Sequence, residues 1–171
     1  KDKEGLFAPV LNDDDWLFGG KIDDIHASIT GGRQGMMMAH KDMLSATEVD
    51  TLANAVAKGQ PASTPLFAGK GCTACHGEDG KGIQAMGSAN LTDKIWRFEG
   101  SVEGIKRTIA YGVNSGDPKT RVAVMPSFKE AGKLSDAEIK KLAVYVYKFG
   151  GGHADAPAET AAAASTPATA K

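Results

Sequence analysis

Cys72, Cys75 and His76 stand together in GCTACHGEDGKG, residues 71–82, which holds the only two cysteines of the chain. Two thiols three positions apart suit several chemistries. A redox dithiol of the C-x-x-C kind expects a βαβ setting. A zinc site needs two further ligands at regular spacing, and the sequence has neither a second cysteine pair nor an H-x-x-x-H run. A disulfide between residues three apart is uncommon. The histidine directly behind the second cysteine favours a fourth chemistry. Two thiols add across the vinyl groups of a haem, and the imidazole that follows is placed to coordinate its iron.

A six-coordinate haem of this kind takes a second axial ligand, most often a methionine thioether. Met125, in RVAVMPSF, is the first candidate. Methionine is commonly core filler, but here Pro126 fixes the backbone beside it and ends local structure. Met86 follows the cysteines too closely to reach the opposite face of a macrocycle. A second methionine run, GRQGMMMAH at residues 32–40, offers Met37, with Met36 and Met38 as close rivals and His40 as a further candidate. Plain core methionines are the alternative reading of that run.

The segments that must position these residues form a repeat. At a constant offset of 80, LNDDDWLFGGKIDDIHASITGG (11–32) matches LTDKIWRFEGSVEGIKRTIAYG (91–112). The match pairs Leu11 with Leu91, Trp16 with Trp96, Phe18 with Phe98, and Ile25 and Ile29 with Ile105 and Ile109. Further on the offset becomes 90, as LSATEVDTLANAVAKG (44–59) matches LSDAEIKKLAVYVYKFG (134–150). The second copy carries the longer loop, NSGDPKTRVAV. Ser45 with Glu48, and Ser135 with Glu138, form capping boxes that satisfy amide donors at a helix start. Behind them Val49, Leu52, Ala53 and Val56 line one helical face, as Ile139, Leu142, Ala143 and Val146 do in the second copy. Gly59 and Gly150 suit C-terminal stops. Helical spacing also covers 21–31 and 101–111, with Ser101 as N-cap, and Thr64-Pro65 starts a helix running toward Cys72. No alternating strand is evident, and 77–95 reads as irregular. The expected fold is all-α. Residues 1–59 form the C-terminal part of one module, 60–150 a second module with the covalent haem, and 151–171 a disordered Ala/Thr/Pro-rich tail.

The remaining features are bland. A composition of 42% hydrophobic and 24% charged residues is that of a globular protein, and a formal net charge of −1 points away from nucleic acid. No run approaches the ~18 apolar residues of a membrane span. The chain opens on Lys1-Asp2-Lys3-Glu4, and the cysteine matching Cys72 at the repeat offset would fall just upstream of Lys1. The expectation is a piece of something longer. His26 and His153 read as solvent-facing. Trp16, Phe18, Trp96 and Phe98 read as core aromatics, with Trp96 also placed near a haem edge. Arg97 and Lys94 are candidates for a haem propionate, with an exposed surface role as the alternative. Lys70, Lys81 and Lys106 read as ordinary surface charges.

With these residues assembled, the chain resembles class I c-type cytochromes. More narrowly it is similar to the dihaem CcoP/FixP subunit of cbb3-type cytochrome c oxidases. The resemblance rests on LNDDDWLFGG, ITGGRQGMM, GCTACHGEDGKGIQAMGSANLTDKIW, MPSF and LSDAEIKKLAVYVYKFGG, over about residues 8–150. It implies tandem cytochrome c domains on the periplasmic side of a bacterial inner membrane, associated with it through a helix not present in this chain. It implies passage of electrons from a cytochrome c donor to a catalytic haem-copper oxidase subunit. Carried over, Cys72 and Cys75 attach the second haem c and His76 and Met125 ligate its iron. Met37 would be the distal ligand of the first haem. The subunit would be no enzyme by itself but a part of an oxidoreductase complex. A dihaem carrier of another respiratory complex, or a dihaem peroxidase or haem sensor, are the competing readings. Two departures stand out: the first C-x-x-C-H is absent, and MMMAH replaces the MPSF of the second copy.

Overall fold

The computed structural model describes residues 9–13, 15–150 and 152. The tail reading for 151–171, apart from Gly152, and the placement of His153 lie outside them. Six α-helices are present among the described residues: α1 (Ile22–Gly31), α2 (Ala46–Ala57), α3 (Pro65–Gly69), α4 (Thr73–His76), α5 (Val102–Tyr111) and α6 (Asp136–Phe149). Single 3-10 turns cover Pro61–Ser63 and Gln84–Met86.

The capping chemistry works as the sequence predicts. Ser45 and Ser135 each accept a hydrogen bond from the amide three residues on, and Glu48 and Glu138 reach back to the cap amides. Ser101 caps α5 through the Gly104 amide, and Thr64 with Pro65 opens α3. That helix runs toward Cys72 and stops short of it. Lys70 and Gly71 end α3, Gly71 with φ +78°, and the cysteines sit on the separate turn α4. One feature escaped the periodicity. Residues Arg33–Gln34 (β1) and Val124–Met125 (β2) pair antiparallel, Arg33 opposite Met125. Two-residue strands are too short to leave an alternating pattern.

The packing crosses the repeat. α1 packs on α6, and α2 packs on α5. Each copy's first helix is therefore covered by the second helix of the other copy. The boundary at residues 59 and 60 falls between repeats and not between packed units. Periodicity shows which face of a helix is apolar, but two similar copies offer each face two similar partners. One core cluster joins Ile25 and Ile29 of α1 to Ile139, Ala143 and Val146 of α6, with Trp16, Met125 and Phe128 against it. A second joins Leu44, Val49, Leu52 and Phe67, with Leu66, Cys72, Leu91 and Ile109 against them. A third, of Ala53, Val56 and Ile105, takes Trp96 and shares Leu91 and Ile109 with the second. Side chains as buried as Phe67 and Ile139, at 2% and 1% exposure, contribute about 1.5–3 kcal/mol each.

Two crossing segments make the exchange. Residues 33–44 run from α1 over to α2, and 113–135 run from α5 over to α6. Asn114 ties them, its amide donating to the Gly35 and Ala123 carbonyls at 2.6 and 3.0 Å. The Ser127 hydroxyl donates to the Thr30 carbonyl at 2.7 Å, and Lys41 pairs with Asp117 at 2.6 Å.

Candidate functional site

The cysteine turn is held from both sides. Gly71, with φ +78°, turns the chain out of α3. The Cys72 amide then donates to the Phe67 carbonyl at 3.0 Å, and the His76 amide to the Cys72 carbonyl at 3.0 Å. Cys72 is half-buried against the α2 cluster and Cys75 is exposed, and both are free thiols. Burial pushes the Cys72 thiol above its ordinary value. Behind the turn, the Ser88 hydroxyl bonds the Cys75 carbonyl, fastening the 83–89 loop to it.

His76 is oriented for metal. Its Nδ1 lies 2.9 Å from the Ala89 carbonyl. A carbonyl can only accept, so Nδ1 carries the proton and Nε2 keeps its lone pair. Burial lowers the His76 pKa against the opposing effect of that hydrogen bond, and the charge of His40 lowers it further. Two thiols and a half-buried imidazole whose Nδ1 faces a carbonyl are a donor set that fits a covalently attached haem.

The other expected residues divide between the two packed units. Met125 lies on the α1/α6 cluster, whereas Cys72 lies on the α2 cluster. The Met37 loop runs on the Cys72 side: Met37 and Val113 exchange backbone hydrogen bonds at 2.9 Å, and the His40 amide donates to the Ile109 carbonyl at 3.1 Å. Leu44, at the end of this loop, shares a cluster with Cys72. The structure thus brings together Cys72, His76 and the Met37–His40 loop, and it sets Met125 with the opposite pair of helices. Order along the chain suggested the reverse, because each crossing segment leaves its own copy before its methionine.

Met37 and Met125 are structural equivalents. Met125 pairs with Arg33, directly after Gly32, and Met37 pairs with Val113, directly after Gly112. Gly32 abuts the backbone of Met125, Pro126 and Ser127, and Gly112 that of Met37, Met38 and Ala39. Met36 and Met38 are exposed, at 77% and 61%, and Met37 is half-buried as Met125 is. This separates Met37 from its two neighbours. An R-x-x-x-M spacing, Arg33 to Met37 and Arg121 to Met125, was the signal in the sequence that could have aligned the loops.

Trp96 packs on Ala53, Val56 and Ile105, and Trp16 on the α1/α6 cluster. Arg97 and Arg121 both lie over the Phe98 ring, at 5.5 and 5.4 Å, and Arg33 lies over Phe18 at 4.8 Å. Burial lowers the Arg97 pKa. Lys94 is exposed and His26 half-buried. Lys70 pairs with Glu48, Lys81 with Asp79, and Lys106 with Asp50 and Glu103. No helix among the described residues is long and apolar enough to cross a membrane.

Comparison with known proteins identifies the family of the chain. The chain is 40% identical over 163 residues to the cbb3-type cytochrome c oxidase subunit FixP of Bradyrhizobium diazoefficiens, covering 84% of this chain and 53% of the relative. It is 36% identical over 170 residues to the CcoP subunit of Rhodobacter capsulatus, covering 84% and 54%. With CcoP of Rubrivivax gelatinosus it shares 40% over 150 residues, covering 82% and 46%. The chain spans about half the length of these curated relatives. Residues 63–149 match the cytochrome c family, which implies a covalently bound haem c. With Cys72, Cys75 and His76 inside that match and its helical core around them, the chain belongs to the cytochrome c family.

Proposed function

We propose that this chain relays electrons in a cbb3-type terminal oxidase, taking them from a cytochrome c donor and passing them to the catalytic haem-copper subunit. It works on the periplasmic side of the bacterial inner membrane. In this reading Cys72 and Cys75 would attach a haem c, a group that supplies one-electron redox chemistry when bound. His76 would offer Nε2 to its iron, with the Ala89 carbonyl fixing the ring. Met37 would be the second side chain to hold that group, while Met125, its equivalent against the α1/α6 cluster, would serve a second haem of the intact protein. Trp96, Leu91 and Ile109 supply an apolar wall that limits water and tunes the potential. Held by both His76 and Met37, such a group would favour electron transfer over chemistry on oxygen.

The observation that carries the proposal is the pairing of α2 with α5, which seats the Met37 loop and Cys72 in one unit. The test is absorption of the haem-loaded ferric protein. Met37→Ala should remove the near-infrared band of methionine-to-iron charge transfer for the haem at Cys72, and Met125→Ala should leave it. The opposite result would return the sixth position to Met125. Co-purification with a haem-copper subunit, and slower reduction of that subunit when this chain is removed, test the relay itself.

A further inference from the structure

The loop that carries Met37 ends on a second group able to bind iron. His40 stands where the other crossing segment has Phe128. The His40 amide donates to the Ile109 carbonyl at 3.1 Å, as the Phe128 amide donates to the Ile29 carbonyl at 3.3 Å. Ile109 and Ile29 are themselves partners in the repeat. Phe128 does what an apolar side chain should do in that place and packs on the α1/α6 core. His40 puts an imidazole there instead, and its Nδ1 is buried without a hydrogen-bond partner. Leaving such a nitrogen unsatisfied costs about 1–3 kcal/mol, which phenylalanine would avoid. Ile109, which accepts from the His40 amide, packs on the same cluster as Cys72. A half-buried imidazole with one buried, unpaired nitrogen, on the loop that carries Met37, is a second distal donor.

We propose that His40 is a reserve axial ligand, which closes the iron's sixth position whenever the Met37 sulfur leaves it. This rests on the reading that His76 and Met37 hold the haem at Cys72. The exchange replaces an iron–sulfur bond by an iron–nitrogen bond to a neutral imidazole, and no electron is transferred. Little of the loop need move. The backbone is pinned at Met37 by Val113 and at His40 by Ile109, and three residues span at most about 10 Å. The consequence is a centre that stays low-spin and shut to small ligands after loss of its thioether, at a lower potential, since nitrogen favours ferric iron more than sulfur does.

The experiment uses the full haem-loaded chain and carbon monoxide as the probe. Met37→Ala alone should remain six-coordinate and low-spin, with the spectrum of a bis-imidazole haem and a lowered potential. The double variant Met37→Ala/His40→Phe, which copies the residue found at position 128, should be high-spin and bind carbon monoxide when reduced. A tethered ligand competes at millimolar effective concentration, so the single variant should bind the gas at least about 100-fold more weakly than the double. His40→Phe alone should keep the parental bands, which shows that the site tolerates the ring. If Met37→Ala binds carbon monoxide as well as the double variant does, His40 is no ligand, and the Met37 assignment survives. If Met37→Ala keeps the parental methionine band, the Met37 assignment fails and this proposal fails with it.

Discussion

Gly112 lies against the backbone carbonyl of Met37, so closely that no Cβ fits between them. Gly32 stands in the same relation to the Met125 carbonyl. Both end a helix with positive φ, +70° and +71°, which a glycine adopts without strain. Each end is therefore locked to the crossing segment of the other copy.

Gly112→Ala and Gly32→Ala should each destabilise the protein by about 2–3 kcal/mol, through strain at positive φ and displacement of backbone that cannot rotate aside. Denaturant unfolding measures this. A loss below about 1 kcal/mol in both would show that the crossing segments yield easily.

The exchanged packing has an energetic signature. Ile25 and Ile139 share a cluster, whereas Ile25 and Val56 do not. Truncating each isoleucine to alanine should cost about 2–5 kcal/mol. A double-mutant cycle on Ile25 and Ile139 should show coupling of about 0.5–3 kcal/mol, and one on Ile25 and Val56 near-additivity. Coupling in the second cycle and not the first would mean that each copy packs on itself.

Haem attachment should follow the thiols. Cys72→Ser or Cys75→Ser leaves one thioether, and the double variant none. Denaturing mass spectrometry should find no haem mass on the double variant, which would lose its cofactor to acid and organic solvent. Retention of haem by that variant under these conditions would refute covalent attachment at this turn.

Asp15 gives the stability a pH dependence. Burial, then the charges of Asp93 and Asp13, push its carboxyl up to about 6 from the ordinary 3.8. The folded chain holds this proton more tightly than the unfolded one. The stability it contributes is present below about pH 4 and lost as pH rises through about 6. Asp15→Asn cannot ionise, so its stability relative to the parent should grow between these limits. The side chain is only half-buried, so solvent screening limits the gain to on the order of 1 kcal/mol above pH 7. Thermal unfolding at pH 4 and pH 7.5 would read it as about 2–4 °C. A difference that does not change with pH would remove the charge as its cause.

Local physics was legible from the residues alone. The S-x-x-E boxes at 45–48 and 135–138 announce helix starts that the structure realises to the residue, because a cap is settled within one turn. The C-x-x-C-H spacing is equally local, and the comparisons agree with the family it suggested. Partner choice was not legible. α1 carries Ile25 and Ile29 whichever copy covers them, and nothing in those side chains distinguishes Ile139 of one helix from Val49 of the other. The pairing of Met37 with Val113 was hidden for the same reason, and with it the placement of His40.

The helix pairs are nested like brackets. α2 with α5 closes inside the span that α1 and α6 bound. Forming the inner pair first draws the termini of the outer span together and shortens the loop left to close, which lowers its entropic cost. During synthesis α1 leaves the ribosome before α2 and α5 yet finds its cover only when Asp136–Phe149 emerges. Assembly of these four helices should run from α2 and α5 outward, with α1 among the last of them to dock.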